Sequence, residues 1–140
     1  MLNTPYRDGI SLPLMIAAIT TITEGELVAV NSTGEAVPAT DAEAKYLMGR
    51  SETTASPEAP ASNNTIVITR NRQFLLSNDA TNPVTAADIG TTVVLTAKNT
   101  VGKFTDGDPA ALGVGTLMGV DYSGKVWVEI GGAPVGMLGA

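Results

Sequence analysis

Two carboxylates flanking a glycine, Asp106-Gly107-Asp108, are the first residues whose types and spacing suggest chemistry. Oxygen ligands at alternate positions are how a calcium loop begins. The further oxygen ligands and the closing Glu of such a loop do not follow, so the tripeptide reads as a polar turn leading into Pro109. The run Gly113-Val114-Gly115-Thr116-Leu117-Met118-Gly119 has glycines spaced one residue too far apart for a dinucleotide-binding loop, and no strand-loop-helix unit surrounds it. It reads as a strand in which missing side chains permit a bulge or a close backbone approach. Asp121-Tyr122-Ser123-Gly124 does not match the tripeptide of aspartic proteases and reads as a turn. The chain has no His and no Cys, so no Ser-His-Asp or Cys-His arrangement, thiolate nucleophile or disulfide can be built within it. Hydrolysis by paired carboxylates is the enzymatic route that remains. With 14 acidic residues, pairs arise in any case, and the placement of Asp106, Asp108, Asp121 and Glu129 decides that reading. No catalytic residue, metal ligand or cofactor site is assigned.

Three further residues invite partners. Arg70 and Arg72 fall on one face of a strand with Phe74 nearby, which suits an acidic partner or a phosphate, or else a solvated face or an intersubunit salt bridge. Trp127 falls on the polar side of its strand, as an interface anchor or as packing against loops. A net charge of −6 disfavours the phosphate neutralisation on which nucleic-acid affinity rests, so free nucleic acid is not an expected partner.

The elements that position these residues are strands. An apolar strand from Leu27 to Val30, the turn Asn31-Ser32-Thr33-Gly34 and a second short strand make one hairpin. The same grammar recurs around Asp121-Tyr122-Ser123-Gly124. In its return strand Val126, Val128 and Ile130 fall on one face and Lys125, Trp127 and Glu129 on the other. Residues 65–76 read as one or two strands, and 91–97 as another, both rich in β-branched types. Short helical turns are expected at 40–43, from its capping-box spacing, at 85–90, and at 108–113 with Pro109 in first position. The Thr-, Ala-, Ser-, Pro- and Asn-rich stretch 51–64 reads as an exposed loop.

The apolar run at 12–19 contains Pro13 and is too short to cross a bilayer, so no membrane partner is expected. Arg7 followed at once by Asp8 does not suit a secretory leader. The segment reads as an extended arm, with Leu12, Leu14, Met15, Ile16 and Ile19 as candidate contacts to a neighbour. The expected organisation is therefore all-β: a small single-domain barrel or sandwich over 23–132, an N-terminal arm over 1–22, a tail over 133–140 and one or two helical turns.

Several marks recur in a particular order: Glu24-Gly25-Glu26-Leu27-Val28-Ala29-Val30 with its turn, then Tyr46-Leu47-Met48-Gly49-Arg50-Ser51. Thr85-Ala86-Ala87-Asp88-Ile89-Gly90 follows, leading into Val93-Val94-Leu95, and Val114-Gly115-Thr116-Leu117 precedes the hairpin carrying Val126-Trp127-Val128. This layout resembles the head decoration, or capsid cement, family of tailed bacteriophages. The resemblance implies a β-barrel-like subunit that oligomerises, commonly as a homotrimer, on the outer surface of the virion and clamps the major capsid protein. The longer apolar N-terminal segment and the 51–64 stretch depart from the commoner pattern. A tail, baseplate or surface-adhesion β-module is the alternative that the Gly- and Thr-rich composition also fits.

Overall fold

The computed structural model describes residues 4, 5, 7, 9–18, 20–56, 64–105, 111–134 and 136–138. Its strands are β1 (Ser11–Met15), β2 (Leu27–Val30), β3 (Ala36–Pro38), β4 (Tyr46–Ser51), β5 (Thr65–Thr69), β6 (Arg72–Asn78), β7 (Thr92–Ala97), β8 (Thr100–Lys103), β9 (Gly113–Val120) and β10 (Val126–Ile130). A 3₁₀ turn, Ala86–Asp88, precedes β7. The chain is all-β, as its alternation predicts: a sheet in the order β1-β5-β4-β2-β3 stands beside a closed five-stranded barrel in the order β10-β6-β8-β7-β9.

Two turns of one construction set the hairpins. Asn31 Oδ1 accepts the N–H groups of Thr33 and Glu35, both at 3.0 Å, while Gly34 donates to the Asn31 carbonyl. Asp121 repeats this, accepting the Ser123 N–H at 3.1 Å on Oδ2 and the Gly124 N–H on its carbonyl. Gly34 and Gly124 take φ of 80° and 93°, a region that glycine enters without steric cost. The β2–β3 and β9–β10 hairpins follow, as expected from the sequence.

β10 carries the clearest alternation. Val126, Val128 and Ile130 are buried, and Trp127 and Glu129 face out. The inward residues join Phe74, Leu76, Val93, Val101 and Leu117 in the larger core. Gly115 behaves as its sequence context suggests: a Cβ there would run into the Glu129 carbonyl on the paired strand. The glycine-rich run is thus strand β9, and its glycine permits close packing of backbone on backbone.

β2 is buried on both faces. Leu27 and Ala29 belong to the barrel core, whereas Val28 belongs to a second core with Ile16, Ile22, Ala36, Ala55, Ile66 and Ile68. The sheet curls far enough for its two ends to touch, since Ile16 bridges Ala36 and the Ala17 N–H donates to the Ala36 carbonyl at 2.9 Å.

Several expectations change. The segment read as an extended arm is extended, but it pairs within its own chain: it forms β1, paired with β5 from Ser11↔Thr69 to Met15↔Thr65, because its alternate residues Leu12, Leu14 and Ile16 close the second core. Of the exposed loop expected over 51–64, residues 57–63 lie outside the described residues, and of the rest Thr53 and Thr54 are exposed. Ser51 and Ala55 are buried, and Ala55 pairs with Ile22 through two backbone hydrogen bonds. At 40–43 the Asp41 side chain takes the Glu43 N–H at 2.8 Å, giving a non-helical turn, while the expected turn at 85–90 forms. Of the 108–113 turn, 108–110 lie outside the described residues, and Leu112 leads directly into β9, whose first residue is Gly113. Within 133–140, Met137 bridges Leu112 and packs on the larger core.

One residue clasps the two units. Asn99, at the β7–β8 turn with φ of 49°, accepts the Leu27 N–H on Oδ1 at 3.0 Å and donates from Nδ2 to the Gly25 carbonyl at 2.8 Å. Asn99→Gly keeps the backbone conformation accessible but leaves the buried Leu27 N–H without its acceptor. The expected loss is about 1–3 kcal/mol of unfolding free energy by chemical denaturation; an unchanged midpoint would show that water replaces the clasp.

Candidate functional site

The outward positions of the barrel wall hold the most distinctive surface. Trp127 on β10 is paired with Leu75 on β6 and with Gly119 on β9. Gly119 has no side chain to crowd the indole, whose Cδ1 lies 3.6 Å from where a Cβ would stand. Trp127 remains 38% exposed and Leu75 40% exposed. The register of β9 shifts at this point, between Trp127 and Val128, so that Met118 occupies a bulge and is also exposed. Tyr122 stands fully exposed at the adjoining turn. Of the two readings of Trp127, surface anchor or packed side chain, the geometry gives an indole whose one neighbour rung is apolar and whose outer face meets solvent.

Arg70 and Arg72 do not share a strand face. Asn71, with φ of 59°, turns the chain between them, leaving Arg70 beyond the end of β5 in the sheet and Arg72 at the start of β6 in the barrel. Asn71 holds that crossing with its N–H on the Ile130 carbonyl, its Nδ2 on the Gly9 carbonyl at 2.9 Å and its Oδ1 on the Gly132 N–H at 3.1 Å. Arg72 is exposed, whereas Arg70 is buried and donates from Nη2 to the Gly132 carbonyl at 2.6 Å. Nothing in the composition singled out Asn71 or Asn99; the tolerance of Asn for the left-handed region between two strand-like runs was the available signal.

Of the residues expected to contact a neighbour from the arm, Leu12 and Leu14 are half-buried and Ile16 is buried, all against the second core, while Met15 is 61% exposed on the opposite face. Ile19 lies outside the described residues. The backbone of β1 is similarly divided. The Arg70 N–H donates to the Ile10 carbonyl and the Ile16 N–H to the Asn64 carbonyl, each at 2.8 Å, so the even-numbered residues direct their backbone groups to β5. Ser11, Pro13 and Met15 direct theirs outward, and Pro13 has no N–H to offer. β3 matches it: the Ala39 N–H bonds to the Leu27 carbonyl, which leaves Ala36 and Pro38 facing outward. A proline therefore stands at the outward register of each edge strand of the sheet, a device that discourages edge-to-edge pairing.

The carboxylates proposed for hydrolysis do not converge among the described residues. Asp121 sits in the β9–β10 turn with its carboxylate occupied by Ser123, and Glu129 lies on the barrel wall beside Gln73. Asp106 and Asp108 lie outside the described residues. Among the described residues no cluster of three or more acidic side chains is arranged to hold a metal ion. Compared with protein-family models, with curated proteins and with solved structures, the chain matches none.

Among the described residues three carboxyls are held below their ordinary range: Glu52 by the hydrogen bond from Arg50 at 2.5 Å, Asp88 by the Thr85 N–H and secondarily by Lys103, and Asp121 by the Ser123 hydroxyl and N–H. Groups with lowered folded-state values contribute stability above their unfolded values and lose it as pH falls through the folded ones. The melting temperature is accordingly expected to fall as pH drops below about 4; a rise on acidification would contradict this. A second prediction concerns the edge. Pro13→Thr restores an outward N–H without disturbing the β5 ladder, so sedimentation velocity should show increased self-association at unchanged thermal stability, and a strictly unchanged distribution would mean that Pro13 does not guard the edge.

Proposed function

We propose that this chain is a structural docking protein, a head decoration subunit that binds the lattice of the major capsid protein on the outer surface of a tailed-phage virion, as an oligomer, most simply a homotrimer. The observation that carries a docking role is the exposed rung of Leu75, Trp127 and Gly119, flanked by Met118, on the barrel wall. Aromatic anchors of this kind concentrate binding energy. Assignment to a phage head rests on the resemblance in motif order from Glu24 to Val128. A lattice repeats each contact by symmetry, so individually modest contacts sum to firm attachment.

With β1 already paired to β5, its addition as a strand to a neighbour has to use the outward register and forgo a hydrogen bond at Pro13, which has no N–H. The barrel wall and the outward Met15 reach a neighbour without such a cost. The test is co-sedimentation with mature heads stripped of the protein. Wild-type chain is expected to bind, and the double variant Leu75→Ala/Trp127→Ala to bind about tenfold more weakly or worse, with an unchanged melting temperature. Absence of wild-type binding would sink the capsid assignment, and equal binding by the variant would move the docking surface elsewhere. Gold-labelled antibody on intact particles separates a head position from a tail or baseplate one.

A further inference from the structure

Arg70 is only 9% exposed, and a buried guanidinium without an opposing charge is costly. Among the described residues its side chain finds the Gly132 carbonyl, and its buried Nε–H finds no acceptor. Arg50 makes the contrast plain. Its Nε–H is also orphaned, but its charge is met by Glu52 at 2.5 Å and its guanidinium lies 5.1 Å from the centre of the Phe74 ring. The ion pairs among the described residues are Arg50–Glu52 and Lys103–Asp88, and neither involves Arg70. Glu129 lines the cleft on one side of Arg70 but makes no ion pair with it.

On its other side Arg70 lines an open groove of about 320 Å³, with Arg7, Gly9, Leu12, Asn71 and Gly132. Among the described residues this lining contains two cations and no acid, in a chain whose net charge is −6. Asn71 bonds Gly9 from Nδ2 and accepts from Gly132 on Oδ1. The charged donors that line the groove are the guanidinium groups of Arg70 and Arg7. We propose that this groove is an oxyanion site that receives a carboxylate or phosphate group between Arg70 and Arg7. Arg70, fixed by Gly132 and by the Asn71 crossing, is the preorganised half, and Arg7, exposed, is the adjustable one. A guanidinium matches the paired oxygens of either anion. The proposal stands independently of any capsid, because it concerns the isolated chain.

The experiment is an NMR titration of the full ¹⁵N-labelled chain, reading the Arg70 Nε–Hε resonance and the Gly9 and Gly132 amides, with sodium acetate, inorganic phosphate and sodium chloride at matched ionic strength. Saturable shifts with acetate or phosphate, absent with chloride, are expected. Arg7→Gln, a substitution at an exposed position that leaves the fold intact, is expected to weaken binding about 2- to 5-fold. Saturation by acetate alone assigns the site to carboxylates such as acidic side chains, and saturation by phosphate alone assigns it to phosphoryl groups. Unsaturable shifts, or shifts equal to those in chloride, overturn the proposal. A displaced Arg70 resonance in Asp8→Asn would then identify the counter-charge as the chain's own.

Discussion

Everything in this molecule hangs on joining two hydrophobic cores through one shared layer. β2 supplies Leu27 and Ala29 to the barrel and Val28 to the curled sheet, so neither of its faces can carry polar side chains. A strand buried on both faces cannot slide by one residue without exchanging which core each side chain fills. The polar groups that fix its register must therefore come from elsewhere. Asn99 does so from the β7–β8 turn, bonding the backbone at Gly25 and Leu27, and Asn71 does the equivalent where the chain crosses from β5 to β6. Both asparagines adopt positive φ. That conformation lets a short polar side chain lie against backbone from the opposite unit, where a β-branched residue would be strained.

This arrangement also dictates how the sheet ends. The second core is small, and closing it needs the alternate side chains of residues 12–16. The N-terminal segment is thereby recruited as β1, and the sheet curls until Ile16 meets Ala36. Curling brings the two edge strands together at one end only. Along the remaining edges the outward registers carry Pro13 and Pro38, each lacking an N–H at the place where an added strand would need one.

What the sequence made legible was local. The two hairpins rest on an Asn or Asp at the first turn position and a Gly at the fourth, chemistry complete within five residues. Gly115 could be read as a close-approach glycine because its strand neighbours were already apparent, and the period-two pattern of β10 fixed Trp127 outward. The failures were long-range. The capping-box spacing at 40–43 was real, but Asp41 spent its side chain on Glu43 while its own N–H bonded to Pro38. Ser51 and Ala55 looked like loop residues because burial of the latter depends on Ile22, more than thirty positions away. Arg70 and Arg72 looked like one face because nothing local shows that Asn71 sends them into separate sheets.

The position of the exposed rung follows from barrel geometry. A closed five-stranded barrel is narrow enough for side chains to fill its interior, which leaves the outer wall and the rims to meet other molecules. Each inward Val on β10 obliges an outward neighbour, and on the wall many such positions are polar, as at Gln73, Thr92, Lys103 and Glu129, with Met118 and Val120 on β9 as exposed apolar exceptions. Leu75 and Trp127 break that rule side by side, across strands instead of along one, with Gly119 completing the rung. Directly opposed across adjacent strands, the two side chains lie side by side and form one continuous apolar face on the outer wall. Lowering the exposure of that face requires a second surface that brings apolar groups of complementary shape.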